Sequence, residues 1–299
     1  MLCAAPDAEP AALAVAAEHR IHALVELGEW TAACRAMEDY RARTATAGPP
    51  HARWLAAQHA VCRAVVDGRL RAVDALVHAT RGPGARAVGR DIADAAAVMH
   101  LVVPRWLQGR LAEVAADTAS FGARMGWPAR SRAARAMIAA ETGDMDEARR
   151  ALDSVMRRGG GFAALPVAGA EWPAIVFYLG AALRRLPIPV YAREIGRAIE
   201  PFVGRDATFV GIVHYGAYAH HAAVMDAICG RVGQAELRLR TAIDHYDAIG
   251  APAWSALAGA DLARLPRACP VGVAGAVTGA VGPPATRARA ARESAAGKA

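Results

Sequence analysis

LVELGEW, at residues 24–30, has a layout that recurs along the chain: an apolar helix end, a glycine, a polar residue and an apolar residue, with an alanine-rich helix after it. The layout returns in AVVDGRL (64–70), RWLQGRL (105–111), AAETGDM (139–145) and AICGRVG (227–233). Successive glycines are 40, 41, 34 and 87 residues apart, and the last step is long enough for two repeats. A period of this length with this internal layout predicts tetratricopeptide (TPR)-like helical hairpins.

Glycine has a mechanical role at these turns. The first helix must end and the chain must reverse within a few residues, and the left-handed conformation favoured there is accessible to glycine at low cost. The missing sixth turn is expected in LRRLPIP (183–189), where two prolines end the helix instead of a glycine. The sequence therefore predicts about six hairpins and about twelve helices.

These patterns predict an all-α fold, a TPR-like α-solenoid of about six helical hairpins over residues 11–265. No run of alternating β-branched residues is long enough to indicate a strand. Residues 1–10 and 266–299 are expected to be disordered, because the tail is rich in small residues and glycine and then becomes basic.

The positive charge of the chain is concentrated in that tail. The formal net charge is +7, and residues 267–299 contribute five basic residues against one acidic residue, a net of +4. The body is therefore nearly neutral, and direct binding of nucleic acid is not expected. Five widely spaced cysteines without a CxxC pair, an N-terminus without a basic leader and no apolar run of membrane-spanning length predict a cytoplasmic protein with no membrane contact.

The order of several phrases resembles the C-terminal TPR-like region of large bacterial signalling ATPases, some of which begin with a class III nucleotide-cyclase domain and others of which end in a LuxR-type helix-turn-helix. The matching stretches span most of residues 11–265: HALVELGEWTAACRAMEDY (22–40), RWLAAQHAVCRAVVDGRL (53–70), LQGRLAEVA (107–115), AAETGDMDEARRAL (139–152), FAALPVAGAEWPA (162–174), GIVHYGAYAHHAAVMDAICGRVGQAE (211–236) and AIGAPAWSALAGADLARL (248–265).

The chain departs from that family in the parts that carry chemistry. It has no GxxxxGK[ST] phosphate loop, no cyclase-like metal carboxylates that can be placed, and no second amphipathic helix pair after Leu265. Where the family has an asparagine before the tryptophan, this chain has Glu171. The resemblance implies the sensor or scaffold arm of such a regulator, with no cofactor and no enzymatic activity.

The densest group of functional-looking side chains lies at residues 214–221. His214 and His221 are seven residues apart, so on a helix they would share one face, with Tyr218 between them and Tyr215 and His220 nearby. Three interpretations are open: a metal pair, which lacks a third ligand in register; a ligand groove on the concave face; or ordinary packing.

A second aromatic group, Trp172, Phe177 and Tyr178, opens another helix and is interpreted as core or as a second part of the groove. The candidate groove residues are Trp172, Tyr178, His214, Tyr215, Tyr218 and His221. Four tryptophans near hairpin turns are expected to anchor helices: Trp30, Trp54, Trp106 and Trp254. Asp144, Asp146 and Glu147 follow Gly143 and are expected to stabilise a helix N-terminus.

The leading hypothesis is a non-catalytic module that binds a protein or peptide partner on its concave face, in bacterial transcriptional or signalling regulation. The alternative is a sensor that binds a small-molecule effector in the same groove. The second predicts a cavity of a few hundred Å³ beside the aromatic residues.

Overall fold

A computed structural model describes residues 10–266, except residues 125, 158–159 and 168. The expectations for residues 1–9 and 267–299 lie outside the described residues. The described part contains thirteen α-helices and one two-stranded sheet. The helices are α1 (Pro10–Glu26), α2 (Trp30–Ala47), α3 (Pro50–Val66), α4 (Val73–Val88), α5 (Arg90–Leu107), α6 (Ala115–Arg124), α7 (Pro128–Thr142), α8 (Met145–Met156), α9 (Trp172–Arg185), α10 (Pro189–Ile199), α11 (Tyr218–Ile228), α12 (Val232–Ala248) and α13 (Pro252–Arg264). The strands are β1 (Asp206–Phe209) and β2 (Val213–Ala217).

The five glycine turns lie where the sequence predicts them, each directly after an odd-numbered helix. All five glycines have positive φ, between 68° and 91°: Gly28, Gly68, Gly109, Gly143 and Gly230. Two of these turns also touch distant parts of the chain. A Cβ on Gly28 would lie 2.7 Å from the His245 ring, and one on Gly68 would lie 2.7 Å from the ring of Pro252. At these two positions glycine supplies both the backbone conformation and the space.

The proline turn and the acidic helix start also follow the prediction. Helix α9 ends at Arg185, and α10 begins at Pro189. Asp144 precedes α8, and its Oδ1 accepts a hydrogen bond from the backbone N–H of Glu147 at 3.0 Å. The helical fold class is thus confirmed: the described residues form thirteen α-helices, where about twelve were expected.

The sheet is a correction to the sequence prediction. Residues 206–217 form an antiparallel hairpin in which Thr208 pairs with His214 and Phe209 with Val213. Val210 and Gly211 both have positive φ, 41° and 75°, in the connecting turn. The strands are too short and too completely buried to show an alternation of polar and apolar residues, which is why the sequence did not predict them.

The hairpin contacts helices that are distant in sequence: α1, α3, α5 and α9. Gly211 at its tip packs against the backbone of His22 in α1. Nearby, Arg205 Nη1 donates to Glu26 Oε1 at 2.9 Å across a separation of 179 residues. The hairpin therefore joins the first helix to the last third of the described chain.

Candidate functional site

The six residues predicted to line a groove are all buried, so they belong to the core: Trp172, Tyr178, His214, Tyr215, Tyr218 and His221. The helical pairing of His214 with His221 is wrong, because His214 lies in β2 and α11 begins only at Tyr218. His221 Nε2 donates to the Tyr215 carbonyl oxygen at 2.9 Å, and burial lowers the pKa of this imidazole to about 3. His221 is therefore a neutral core residue in this arrangement.

Two of the three tyrosines of this set, Tyr178 and Tyr215, lie beside a buried arginine. Arg130 Nη2 donates to the Tyr215 hydroxyl at 3.1 Å, and its guanidinium lies 6.0 Å from the Tyr178 ring centroid. The same guanidinium lies 5.1 Å from Trp127 and 5.3 Å from Phe209. Stacking on several aromatic faces accounts for a buried guanidinium here and gives Tyr178 and Tyr215 a structural role.

Trp172 has a different position from the other five. Although it is buried, it lines a small cavity of about 270 Å³ together with Trp127, Glu171 and Phe209. Burial raises the pKa of Glu171, against the influence of Arg130. The other five predicted residues do not line this cavity.

A buried carboxylate lies between two of the histidines. Asp206 Oδ1 is 2.9 Å from His245 Nε2, and Asp206 Oδ2 is 3.1 Å from His214 Nε2, the latter contact without hydrogen-bond geometry. Burial alone would raise the pKa of Asp206, but the two imidazoles outweigh it and lower the pKa to about 2. The hydrogen bond to Asp206 in turn raises the pKa of His245. We name these three residues the seam cluster, because β1, β2 and α12 meet there.

A larger cavity, with a volume of about 590 Å³, lies elsewhere in the described residues. The last turns of five odd-numbered helices converge on it: α5, α7, α9, α11 and α13. Its floor is apolar and includes Val224, Ile228, Leu239 and Leu257. Charged side chains and one tryptophan complete its wall: Trp106, Glu141, Arg184, Arg185, Asp261 and Arg264.

The first carboxylate in the cavity wall is Glu141. Its two oxygens have different partners: Trp106 Nε1 donates to Oε1 at 2.8 Å, and Arg185 Nε donates to Oε2 at 2.9 Å. Glu141 is mostly buried, whereas Arg185 is exposed. The carboxylate is therefore fixed from inside and holds an outer guanidinium.

The second carboxylate, Asp261, repeats this pattern. Oδ2 pairs with Arg184 and lies 2.8 Å from His220 Nε2, while Arg264 Nη1 donates to Oδ1 at 3.0 Å. Burial would raise the pKa of Asp261, but the contacts with His220 and Arg184 prevail and lower it. Arg184 also lies over the Trp106 ring at 5.8 Å, which links the two carboxylate groups.

His220 has polar partners at both ring nitrogens. The Ala217 N–H donates to the Tyr246 hydroxyl oxygen at 2.8 Å, and that hydroxyl lies 3.2 Å from His220 Nδ1. His220 Nε2 lies 2.8 Å from Asp261 Oδ2 and 3.0 Å from Arg184 Nη2. Burial lowers the pKa of His220, and the nearby Arg184 acts in the same direction although Asp261 opposes it. Both ring nitrogens are engaged, so His220 acts as a fixed link between the core and the cavity.

Electrostatics at the cavity reflect the helix ends. The C-terminus of a helix carries a partial negative charge, and a cation there is stabilised by about 0.3–1 kcal/mol. Arg184, Arg185 and Arg264 lie in last turns of α9 and α13 and occupy such positions. These three guanidinium groups against two carboxylates leave a formal charge of +1 on the cavity wall.

The sequence did not reveal this site because its residues come from helices far apart in the chain. Trp106 was interpreted only as a helix anchor, and Arg184 and Arg185 only as part of an irregular turn. One available signal was the recurrence of large or charged residues just before each turn. His220 was noticed, but its partner Asp261 is 41 residues away.

The described residues contain no group of three or more histidine, cysteine, aspartate and glutamate side chains placed to hold a metal ion. In the same part of the chain, no helix combines the length and apolar character needed to cross a membrane. Comparisons with protein-family models, curated proteins and solved structures gave no match to this chain.

Proposed function

We propose that the chain is a non-catalytic, TPR-like helical-repeat module of bacterial transcriptional or signalling regulation, and that it binds a protein or peptide partner. The observation that carries the proposal is the convergence of five helix ends on an open cavity of about 590 Å³. Four of these five helix ends, those of α5, α7, α9 and α13, bring charged or aromatic residues to the cavity, and a site assembled from successive helix pairs is typical of binding surfaces in repeat proteins.

The position of the β-hairpin changes where on the molecule binding is proposed. The leading hypothesis from sequence placed the partner along a concave groove. β1 and β2 contact α1, α3, α5 and α9, so the parts of these helices that meet the hairpin are covered from within the chain, whereas the last turns of α5 and α9 line the cavity. The cavity at the helix ends is therefore the better candidate for binding.

The cavity chemistry supports binding more than catalysis. Both nitrogens of His220 are engaged, and the two carboxylates hold arginines, so neither type of group is poised as a free general base. Each polar group has a fixed partner in the wall, which suits recognition of a ligand by shape and charge.

Blocking the cavity tests the proposal. Ala227→Phe, at a partly exposed position of α11 on the cavity wall, should reduce capture of a native partner at least tenfold in pull-downs from the source cells. Ala45→Phe, on an exposed position of α2 away from the cavity, is the matched control and should leave capture unchanged. Equal capture by both variants, with unchanged melting temperatures, would count against a binding role for the cavity.

A small-molecule effector is the second candidate, favoured by the cavity volume, which falls within the range of about 300–1,000 Å³ for small-ligand sites. The cavity has the size predicted for an effector but not the predicted lining. A thermal-shift screen of metabolites tests this candidate: a ligand that stabilises the native chain but not Ala227→Phe supports it. A screen without such a ligand favours the protein partner.

A further inference from the structure

We propose that the cavity is a site for a medium-chain aliphatic monocarboxylate, whose carboxylate binds the outer arginines Arg185 and Arg264 and whose chain lies on the apolar floor. This inference rests on the second candidate function, a small-molecule effector, and names the chemical class of that effector.

Both outer arginines are held in place by carboxylates of the cavity wall. Arg185 Nε donates to Glu141 Oε2 at 2.9 Å, and Arg264 Nη1 donates to Asp261 Oδ1 at 3.0 Å. A guanidinium has five N–H donors in a rigid plane, so one or two bonds to a carboxylate leave other donors for a ligand. The carboxylates thus orient the arginines without consuming their donor capacity.

The carboxylates of Glu141 and Asp261 are themselves held in place by hydrogen-bond partners. Trp106 Nε1 donates to Glu141 Oε1 at 2.8 Å, and His220 Nε2 lies 2.8 Å from Asp261 Oδ2. The side chains of Glu141 and Asp261 are 14% and 13% exposed. This second layer limits the directions in which the two outer guanidinium groups can point.

The two outer arginines are also exposed to solvent. The side chains of Arg185 and Arg264 are 59% and 71% exposed, and both line the cavity, so a ligand entering from solvent can reach them. Arg184, by contrast, is mostly buried and engaged with Asp261 and the Trp106 ring. Two oriented and accessible guanidinium groups form a natural receptor for one carboxylate.

The charges of the cavity wall favour an anionic ligand over a cationic one. A cationic ligand would have to displace the arginines from Glu141 and Asp261 and would meet a wall with a formal charge of +1. The negative helix ends would favour a cation, but three arginines already occupy the last turns at the cavity. An anion adds to the arginine contacts and displaces nothing.

The apolar floor of the cavity favours an aliphatic chain on the ligand. Val224, Ile228, Leu239 and Leu257 present an aliphatic floor, and the cavity holds about 590 Å³. A flexible aliphatic chain gains from leaving water on such a surface, whereas a sugar or a nucleotide would leave polar groups without partners there. The combination favours an aliphatic acid over a polar metabolite.

Isothermal titration calorimetry of the full chain with octanoate tests the proposal, with octanamide and octylammonium as neutral and cationic controls. Octanoate should bind at least tenfold more tightly than either control. Preference for octylammonium, equal binding of octanoate and octanamide, or no octanoate binding to the folded chain would each overturn the proposal.

Substitutions of the two outer arginines test whether these residues bind the carboxylate. Arg185→Gln and Arg264→Gln should each weaken octanoate binding about tenfold, as expected for loss of a charged hydrogen-bond donor. Arg150→Gln, which removes an exposed arginine from an ion pair with Glu147 on α8, is the matched control and should bind normally. Unchanged affinity in both cavity variants would contradict the assignment.

Glu141→Gln separates positioning from net charge. The amide keeps an acceptor for Trp106 but holds Arg185 less well, so binding should weaken several-fold even though the cavity becomes more positive. Stronger binding would show that charge alone attracts the ligand and would overturn the positioning argument.

The inference and the proposed function can fail separately. Loss of partner capture in Ala227→Phe without any octanoate binding would leave the protein-binding module standing and remove the carboxylate ligand. Octanoate binding that is unaffected by Ala227→Phe would place the acid outside this cavity and overturn the inference.

Discussion

The seam cluster and the cavity wall both pair aspartate with histidine, yet they have opposite surroundings. Asp206 is buried between His214 and His245, and it joins β1 to β2 and α12. Asp261 also binds a histidine, but its second oxygen holds the exposed Arg264. The same chemical pair is thus enclosed in one region and reaches solvent through an arginine in the other. In this chain, the partner of the second carboxylate oxygen distinguishes the structural pair from the candidate ligand site.

The largest effect is expected when the enclosed pair is broken. Asp206→Asn removes a buried charge from two imidazoles and should lower the free energy of unfolding by about 3–5 kcal/mol. Asp261→Asn should cost less, about 1–2 kcal/mol, since water and Arg264 remain available to that group. Urea unfolding of both variants measures the contrast. Equal losses would remove the distinction between the two regions.

Acid should destabilise the fold through histidines that are buried as neutral rings. Burial lowers the pKa of His59 to about 4 and that of His100 to about 3, and His221 behaves likewise. Below pH 6.5 the unfolded chain binds protons that the folded chain does not, so stability falls from pH 7 to pH 5, by up to about 2 kcal/mol for each histidine.

The seam cluster opposes this trend. The raised pKa of His245 contributes stability that is complete below pH 6.5 and is lost as the pH rises through the folded value. In His245→Asn the decline between pH 7 and pH 5 should therefore be steeper than in the native chain. Parallel curves from thermal melts of the two proteins at several pH values would contradict the role given to His245.

Two glycine turns differ in how closely other side chains pack against them. Gly28→Ala forces a side chain into a positive φ and against the His245 ring, and should cost about 2–3 kcal/mol. Gly143→Ala meets the same backbone strain, but nothing lies within 4 Å of its Cβ, so about 1 kcal/mol is expected. Chemical denaturation distinguishes the two, and equal costs would mean that the contact with His245 is easily displaced.

The smallest effect is a gain. Val210 is a β-branched residue at φ 41° in the hairpin turn, and its side chain is exposed. Asparagine tolerates this conformation better, so Val210→Asn should raise the free energy of unfolding by about 0.5–1 kcal/mol. Val190→Asn, at an exposed valine in α10 with ordinary helical geometry, is the control and should not stabilise. A loss of stability in Val210→Asn would indicate that the valine packs in a way that offsets its strain.

Local chemistry determined much of this protein from the sequence alone. Glycine or proline follows the end of a helix at the six predicted turns, where the local backbone preference sufficed, although Pro83 and Pro104 lie inside α4 and α5. Asp144 as a helix cap depends only on neighbours three residues away, and it too was predictable.

Only the tertiary structure decided the hairpin, the burial of the predicted groove residues and the position of the cavity. A two-stranded hairpin of this size depends on packing against α1, α3, α5 and α9, and these contacts leave no periodic pattern in so short a segment. The ion pairs of the cavity wall join residues up to 77 positions apart. Such pairings depend on how the helices stack, which no local rule of the sequence specifies.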